Sequence, residues 1–148
     1  MADSQARELS DAEVAQSVAG ADKLIAVYGW STPFHDAVVE RVVIERLGPA
    51  VTMDLRTNEM CILEEPQRDV LARVTMRWDG VQDLRLLGAD PNEENWIWGM
   101  DFFQVGDFIR ADILQMDGIH GWILAERVEV LTVETIPWGT PLAQSDPA

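Results

Sequence analysis

VLARVTMRWDGVQDLRLL, residues 70–87, is the stretch on which the fold turns. Val70, Ala72, Val74, Met76 and Trp78 alternate with Arg73, Thr75 and Arg77, the period of two that sends apolar side chains to one face of a strand and polar ones to the other. Asp79-Gly80 follows, a dipeptide that favours the left-handed backbone of a two-residue hairpin. The reading is therefore a strand to Trp78, a tight turn, and a strand over Val81–Leu87 returning antiparallel to it.

Working outward, the same pattern recurs on both sides. Upstream, Ala37–Arg46 is rich in Val and Ile, Gly48-Pro49 ends it, and Val51, Met53 and Leu55 alternate with Thr52, Asp54 and Arg56. Thr57–Asp69, with Asn58, Glu59, Glu64, Glu65 and Pro66, reads as an acidic loop. Downstream, Asp90, Pro91, Asn92, Glu93 and Glu94 make a second acidic loop before a strand over Trp96–Gln104. Gly106-Asp107 and Asp117-Gly118 mark two further turns, flanking Phe108–Met116 and leading into Trp122–Glu134. About seven strands result, and successive hairpins imply an antiparallel meander.

The N-terminal part has a helical period instead. Ser10-Asp11-Ala12-Glu13 is a capping box, in which a hydroxyl and a carboxylate satisfy free N–H groups at a helix start. Val14 and Val18, then Leu24, Ile25 and Tyr28, supply an apolar stripe that Gly20 splits into two short helices. The fold class is α+β: a mostly antiparallel sheet covered by an N-terminal helical segment. Residues 1–136 form one domain, 1–9 being flexible and 137–148 a loose tail with Pro137 and Pro141.

Composition bounds the function. The 148 residues are 47% hydrophobic and 25% charged, as in a globular domain, and the formal net charge is −15. Such a chain is repelled by nucleic acid and by anionic membrane surfaces. Removing residues 1–20 and the tail beyond Glu134 takes away only a minority of the acidic excess. A single cysteine, Cys61, forms no internal disulfide, and Met1–Ser10 lacks the basic lead and apolar run of a signal peptide. A cytoplasmic location is expected. Cys61 lies among Met60, Ile62 and Leu63, an apolar setting that blunts a thiol.

Candidate chemistry is sparse. His35-Asp36 is the one imidazole beside a carboxylate, the unit of general-base catalysis, yet neighbours on an extended chain point to opposite faces. His120 sits at a hairpin tip. No phosphate-cradling glycine motif and no G-x-S-x-G nucleophile occurs. Asp36 with Asp101, or Asp90 with Glu93 and Glu94, are the carboxylates nearest a metal set, but they lack the spacing of a calcium loop, and no metal or other cofactor is expected. Trp96 and Trp98 form either a wall of the core or an aromatic patch beside the second acidic loop.

Tyr28-Gly29-Trp30 followed by Phe34-His35-Asp36-Ala37 resembles the opening YGWWPSFHDA motif of the Immunity protein 50 family of bacterial polymorphic-toxin systems. Gly80-Val81, Leu84, Leu86 and Gly88 resemble the family's GV..L.L.G hairpin; Asn95 with Gly99, Met100 and Asp101 resembles its N…G.E strand start; and Val128-Glu129-Val130 fits its last strand. Together these span Tyr28 to Val133. Ser31-Thr32 replace Trp and Pro, the proline follows as Pro33, Val38 replaces an acidic residue, and Asp101 replaces Glu.

The resemblance implies a non-enzymatic cytoplasmic antidote that occludes a cognate toxin. The acidic charge suits a basic toxin. The expected contact residues are Glu59, Glu64 and Glu65 on one loop and Asp90, Glu93 and Glu94 on the other, with Trp96 or Trp98 as aromatic anchor. The motif residues Tyr28, Trp30, Phe34, His35, Asp36, Gly99 and Asp101 are expected to lock the structure rather than bind. Two other readings stand beside this one: an acidic secretion chaperone, and a small hydrolase using His35. Oligomeric state is left open.

Overall fold

The computed structural model describes residues 6–28, 34–57, 70–90 and 93–137. In chain order the elements are β1 (Ala6–Glu8), α1 (Asp11–Ser17), α2 (Asp22–Tyr28), β2 (Val38–Glu45), β3 (Ala50–Arg56), β4 (Val70–Leu87), β5 (Asn95–Val105), β6 (Phe108–Asp117) and β7 (His120–Pro137). The α+β class holds: seven strands form one sheet whose strand pairings are all antiparallel, with two short helices near the N-terminus.

The spatial order is β1-β5-β2-β3-β4-β7-β6, and β5 also pairs with β6. The sheet therefore closes on itself through β5, and its topology is not the simple meander expected from successive hairpins. One edge of β5 is shared: its start pairs with Val38 and Val39 of β2, and its end pairs with Ala6–Glu8. The β2–β5 seam is only those two residue pairs plus the Ile97 N–H donating to the Ala37 carbonyl at 2.9 Å. Closure leaves few sheet edges open to other chains. Inside lie Met53, Leu55, Val74, Met76, Trp78, Ile97, Ala111, Ile123 and Ala125, each 1% exposed or less.

Asp79-Gly80 does not turn the chain. Val70–Leu87 runs as one strand of 18 residues, paired along its length with the 18 residues of β7, from Val70↔Pro137 to Leu87↔His120. Gly80 keeps the left-handed conformation that the dipeptide favours, φ +63°, but spends it beside a bulge where the register shifts between Val81 and Asp83. A hairpin there would have stripped β4 of partners on both sides, since β3 covers it as far as Asp79 and β7 covers both halves. A local turn preference loses to a long ladder. The count of seven agrees with the sequence reading only because β1 replaces the strand lost by this fusion.

Residues Ala6–Glu8, assigned from sequence to a flexible lead, are that edge strand, registered against Val105, Gln104 and Phe103. Pro137, assigned to the tail, ends β7; the rest of the tail, 138–148, lies outside the described residues.

The helices form as their sequence directs. Ser10 Oγ accepts from the Glu13 N–H at 3.3 Å and the Glu13 carboxylate accepts from the Ser10 N–H at 3.2 Å, closing the capping box. α1 ends at Ser17 with Val18 extended, and Gly20, at φ +74°, turns the chain into α2. Between them Ala19 lies against the outer edge of β7 in a parallel bridge with Glu129, its N–H donating to the Val128 carbonyl and its carbonyl accepting from Val130. Val14, Val18, Ala21 and Leu24 then face Phe34, Met76, Phe102 and Val130 across a small apolar cavity. Among the described residues no helix is long and apolar enough to cross a membrane.

Candidate partner-binding site

The second acidic loop is held shut by the residue that follows it. The Asn95 side-chain carbonyl accepts from the Asp90 N–H at 3.0 Å, and its amide donates to the carbonyls of Asp90 at 3.1 Å and Glu93 at 3.5 Å. The Glu93 N–H donates to the Asp90 carbonyl at 3.4 Å. One amide thus substitutes for the backbone partners that a loop lacks. Asp90, Glu93 and Glu94 are all exposed.

The β6–β7 hairpin backs this clamp. A Cβ on Gly118 would stand 2.8 Å from the Asn95 side-chain oxygen, and one on Gly88 would stand 2.5 Å from the Gly118 carbonyl oxygen. Two glycines let the loop and the hairpin approach so closely. His120, whose Nδ1 lies 3.2 Å from the Gly118 carbonyl, braces the same turn.

Past Asn95 the strand is irregular, with register shifts on either side of Ile97, so that Trp98 has no opposing residue on β6. Bulges re-aim side chains. Ile97 is fully buried whereas Trp98 is 53% exposed, and Trp96 is half-buried. Trp98 accordingly belongs to a surface patch and not to the core.

His35 supports it. Their ring centroids are 4.8 Å apart and tilted by 59°. His35 reaches this position because the chain turns at Phe34–Asp36, with Phe34 buried as the anchor and Asp36 at φ +59°. That turn also overrides the alternation argument, for His35 Nδ1 lies 3.2 Å from Asp36 Oδ2 although the residues are adjacent. The other Asp36 oxygen is buried and has no hydrogen-bond partner among the described residues.

Acidic loop, Trp98 and the His35-Asp36 turn therefore succeed one another along the first residues of β5 and the segment that meets them. Among the described residues no cation pairs with Glu93 or Glu94. Five arginines are engaged elsewhere: Arg7 with Glu13, Arg73 with Glu40, Arg77 with Glu45 and Asp79, Arg110 with Asp112, Arg127 with Glu129. The negative charges of Glu93 and Glu94 therefore face solvent.

The remaining candidates divide. Glu59, Glu64, Glu65 and Trp30 lie outside the described residues, as does Cys61. Tyr28 is buried, its hydroxyl sharing a 2.5 Å hydrogen bond with that of Thr57, which in turn accepts from the Ala72 N–H. It ties α2 to the β3–β4 corner. Gly99 has room for a side chain, the nearest atom to a Cβ being Leu114 Cδ1 at 4.0 Å, so sterics do not demand glycine there. Asp101 stands directly opposite Asp112 on β6, and burial, with that neighbouring carboxylate, raises its carboxyl above the ordinary value. Among the described residues no three His, Cys, Asp or Glu side chains gather as a metal site.

A second surface was not singled out from sequence. Asp101, Asp112, Trp122 and Arg85 follow one another as register partners across β5, β6, β7 and β4. Beside them Arg110 lies over the Phe103 ring at 4.7 Å, Arg85 over the Trp122 ring at 5.5 Å, and Trp122 Nε1 donates to Asp83 at 2.7 Å. The signal was the outward half of each alternation, legible once register is known.

No family model and no curated protein matches the chain. Its fold is similar to the crystal structure of an uncharacterized protein from Neisseria gonorrhoeae, with 12% identity over 69% of this chain and 96% of that one, at a TM-score of 0.46.

Proposed function

We propose that the chain is a non-enzymatic immunity protein that binds a cognate bacterial toxin in the cytoplasm and neutralises it by stoichiometric occlusion. The observation that carries this is the Asn95-clamped loop presenting Asp90, Glu93 and Glu94 immediately before an exposed Trp98. The resemblance of the Tyr28–Ala37 and Asn95–Asp101 segments to the Immunity protein 50 family points the same way. Acidic residues on a pre-shaped loop steer a basic partner and lose little entropy on docking, while a projecting indole supplies the apolar area in which interface energy concentrates. A basic toxin is the matching partner.

Co-expression with the product of the neighbouring upstream gene tests it. Growth rescue that requires at least one copy of this chain per toxin, with a complex that weakens as salt rises, is the expected result. Rescue at far below stoichiometric amounts would overturn occlusion.

The His35–Asp36 contact favours a second reading, a small hydrolase with His35 as base. His35→Ala separates the two: occlusion predicts at most a modest loss of affinity through the Trp98 contact, catalysis predicts loss of turnover with unchanged affinity. The chaperone reading draws less support, because Val14, Leu24 and Tyr28 are buried and only Ile25 is left as an exposed large apolar side chain on the two helices.

A further inference from the structure

Arg41–Glu45 forms the part of β2 beyond its short seam with β5, and among the described residues no strand pairs with its outer edge. Open edges are ordinarily blunted, yet this one carries Val42, Val43 and Ile44 in a row, with Ile44 60% exposed and Leu47 at the adjoining turn 85% exposed. The flanking charges have opposite sign. We propose that this edge is a self-association surface, on which a second copy of the chain pairs its own β2 antiparallel about Val43.

The sequence is complementary to itself in that register and in no neighbouring one. Centring the two-fold on Val43 sets Arg41 against Glu45 of the second copy, Val42 against Ile44, and Val43 against its equivalent, each contact occurring twice or lying on the axis. The faces agree as well. Arg41, Val43 and Glu45 are paired across β2–β3 with Asp54, Thr52 and Ala50, whereas Val42 and Ile44 are paired with the buried Met53 and Val51. Opposed residues of an antiparallel pair point to the same side. The ion pairs would therefore form on the polar outer face and the aliphatic pairs on the side continuous with the core.

Arg41 is exposed and has no ion-pair partner among the described residues, and Glu45, although bonded to Arg77 at 3.0 Å, remains 47% exposed. A register slipped by one residue would oppose Arg41 to Ile44 or to Arg46, and a centre moved by one residue would oppose it to Val43 or Leu47. Charge complementarity thus selects one occupant and one register. Two copies each of charge −15 repel at long range, so the association needs an ionic strength that screens beyond about 8 Å, the physiological condition.

Sedimentation of the full chain over a range of concentrations in physiological salt is the test. A monomer–dimer equilibrium is expected. Arg41→Glu and Glu45→Arg, which set like charges together twice across the axis, should each weaken it by about tenfold or more. The double variant R41E/E45R should restore it. Val43→Lys, which places two ammonium groups on the axis, should yield a monomer with unchanged circular dichroism and melting temperature. A chain that is monomeric throughout, a dimer indifferent to these changes, or a double variant that fails to recover overturns the proposal. Toxin binding is read separately, from the loop variants described below.

Discussion

At Gly20 the backbone adopts φ +74°, and a Cβ would fall 2.3 Å from the carbonyl oxygen of Val130, the residue whose N–H donates to the Ala19 carbonyl and holds the helical segment on β7. Gly20→Ala meets both strain and a backbone clash, so it should destabilise the fold by at least about 1 kcal/mol in denaturant unfolding; a neutral result would mean that the α1–α2 link does not dock on β7. Asp101 makes a different kind of prediction. Its carboxyl is raised by burial and by Asp112, so the folded chain holds that proton more tightly than the unfolded one. The contribution favours folding below the ordinary value of 3.8 and is lost as pH rises through the higher folded value. Asp101→Asn should therefore stabilise the protein at neutral pH by about 0.2–1 kcal/mol, the cost of opposed like charges, and leave stability unchanged in acid. Melting curves at both pH values decide it. Trp98→Ala should leave the melting temperature unchanged, since 53% of the residue is exposed, while costing about 2 kcal/mol or more in toxin affinity.

At the scale of elements, what was legible depended on how local the determining contacts are. The capping box at Ser10–Glu13 and the break at Gly20 are settled within a few residues, and both were read from sequence. The Gly106-Asp107 turn is equally local, with Val105 paired to Phe108 across it. Asp79-Gly80 was misread because its turn preference competes with β7, some fifty residues downstream in the chain. β1 was missed since three residues carry no period, and only the edge of β5 makes them a strand. The acidic loop was read as acidic but not as ordered; that depends on the Asn95 amide and on two glycines whose proximity no spacing reveals. Asn95→Ala should then cost about 1–3 kcal/mol from the loss of its loop hydrogen bonds and accelerate amide exchange at Asp90. Unaltered exchange there would show that the loop is shaped by something other than Asn95.

Across the whole molecule the charge is acidic but not uniformly placed. Arginines and carboxylates interleave along β4 and its neighbours, where Arg73, Arg77 and Arg127 are tied into ion pairs, while Glu93 and Glu94 are exposed and enter no ion pair among the described residues. The closed sheet supplies stiffness, and the seam where β5 joins β2 is also where the loop, the indole and the His35 turn come together. Of this corner, sequence named the residues; it did not reveal that Trp98 is bulged outward or that the His35 ring packs against it at a tilt. The most direct measurement is the association rate of the chain with the proposed toxin as a function of salt, compared with a D90N/E93Q/E94Q variant of equal stability. We expect the variant to bind more slowly, to lose most of the salt dependence and to fail in growth protection. Equal rates, equal salt dependence and intact protection would contradict occlusion through this loop.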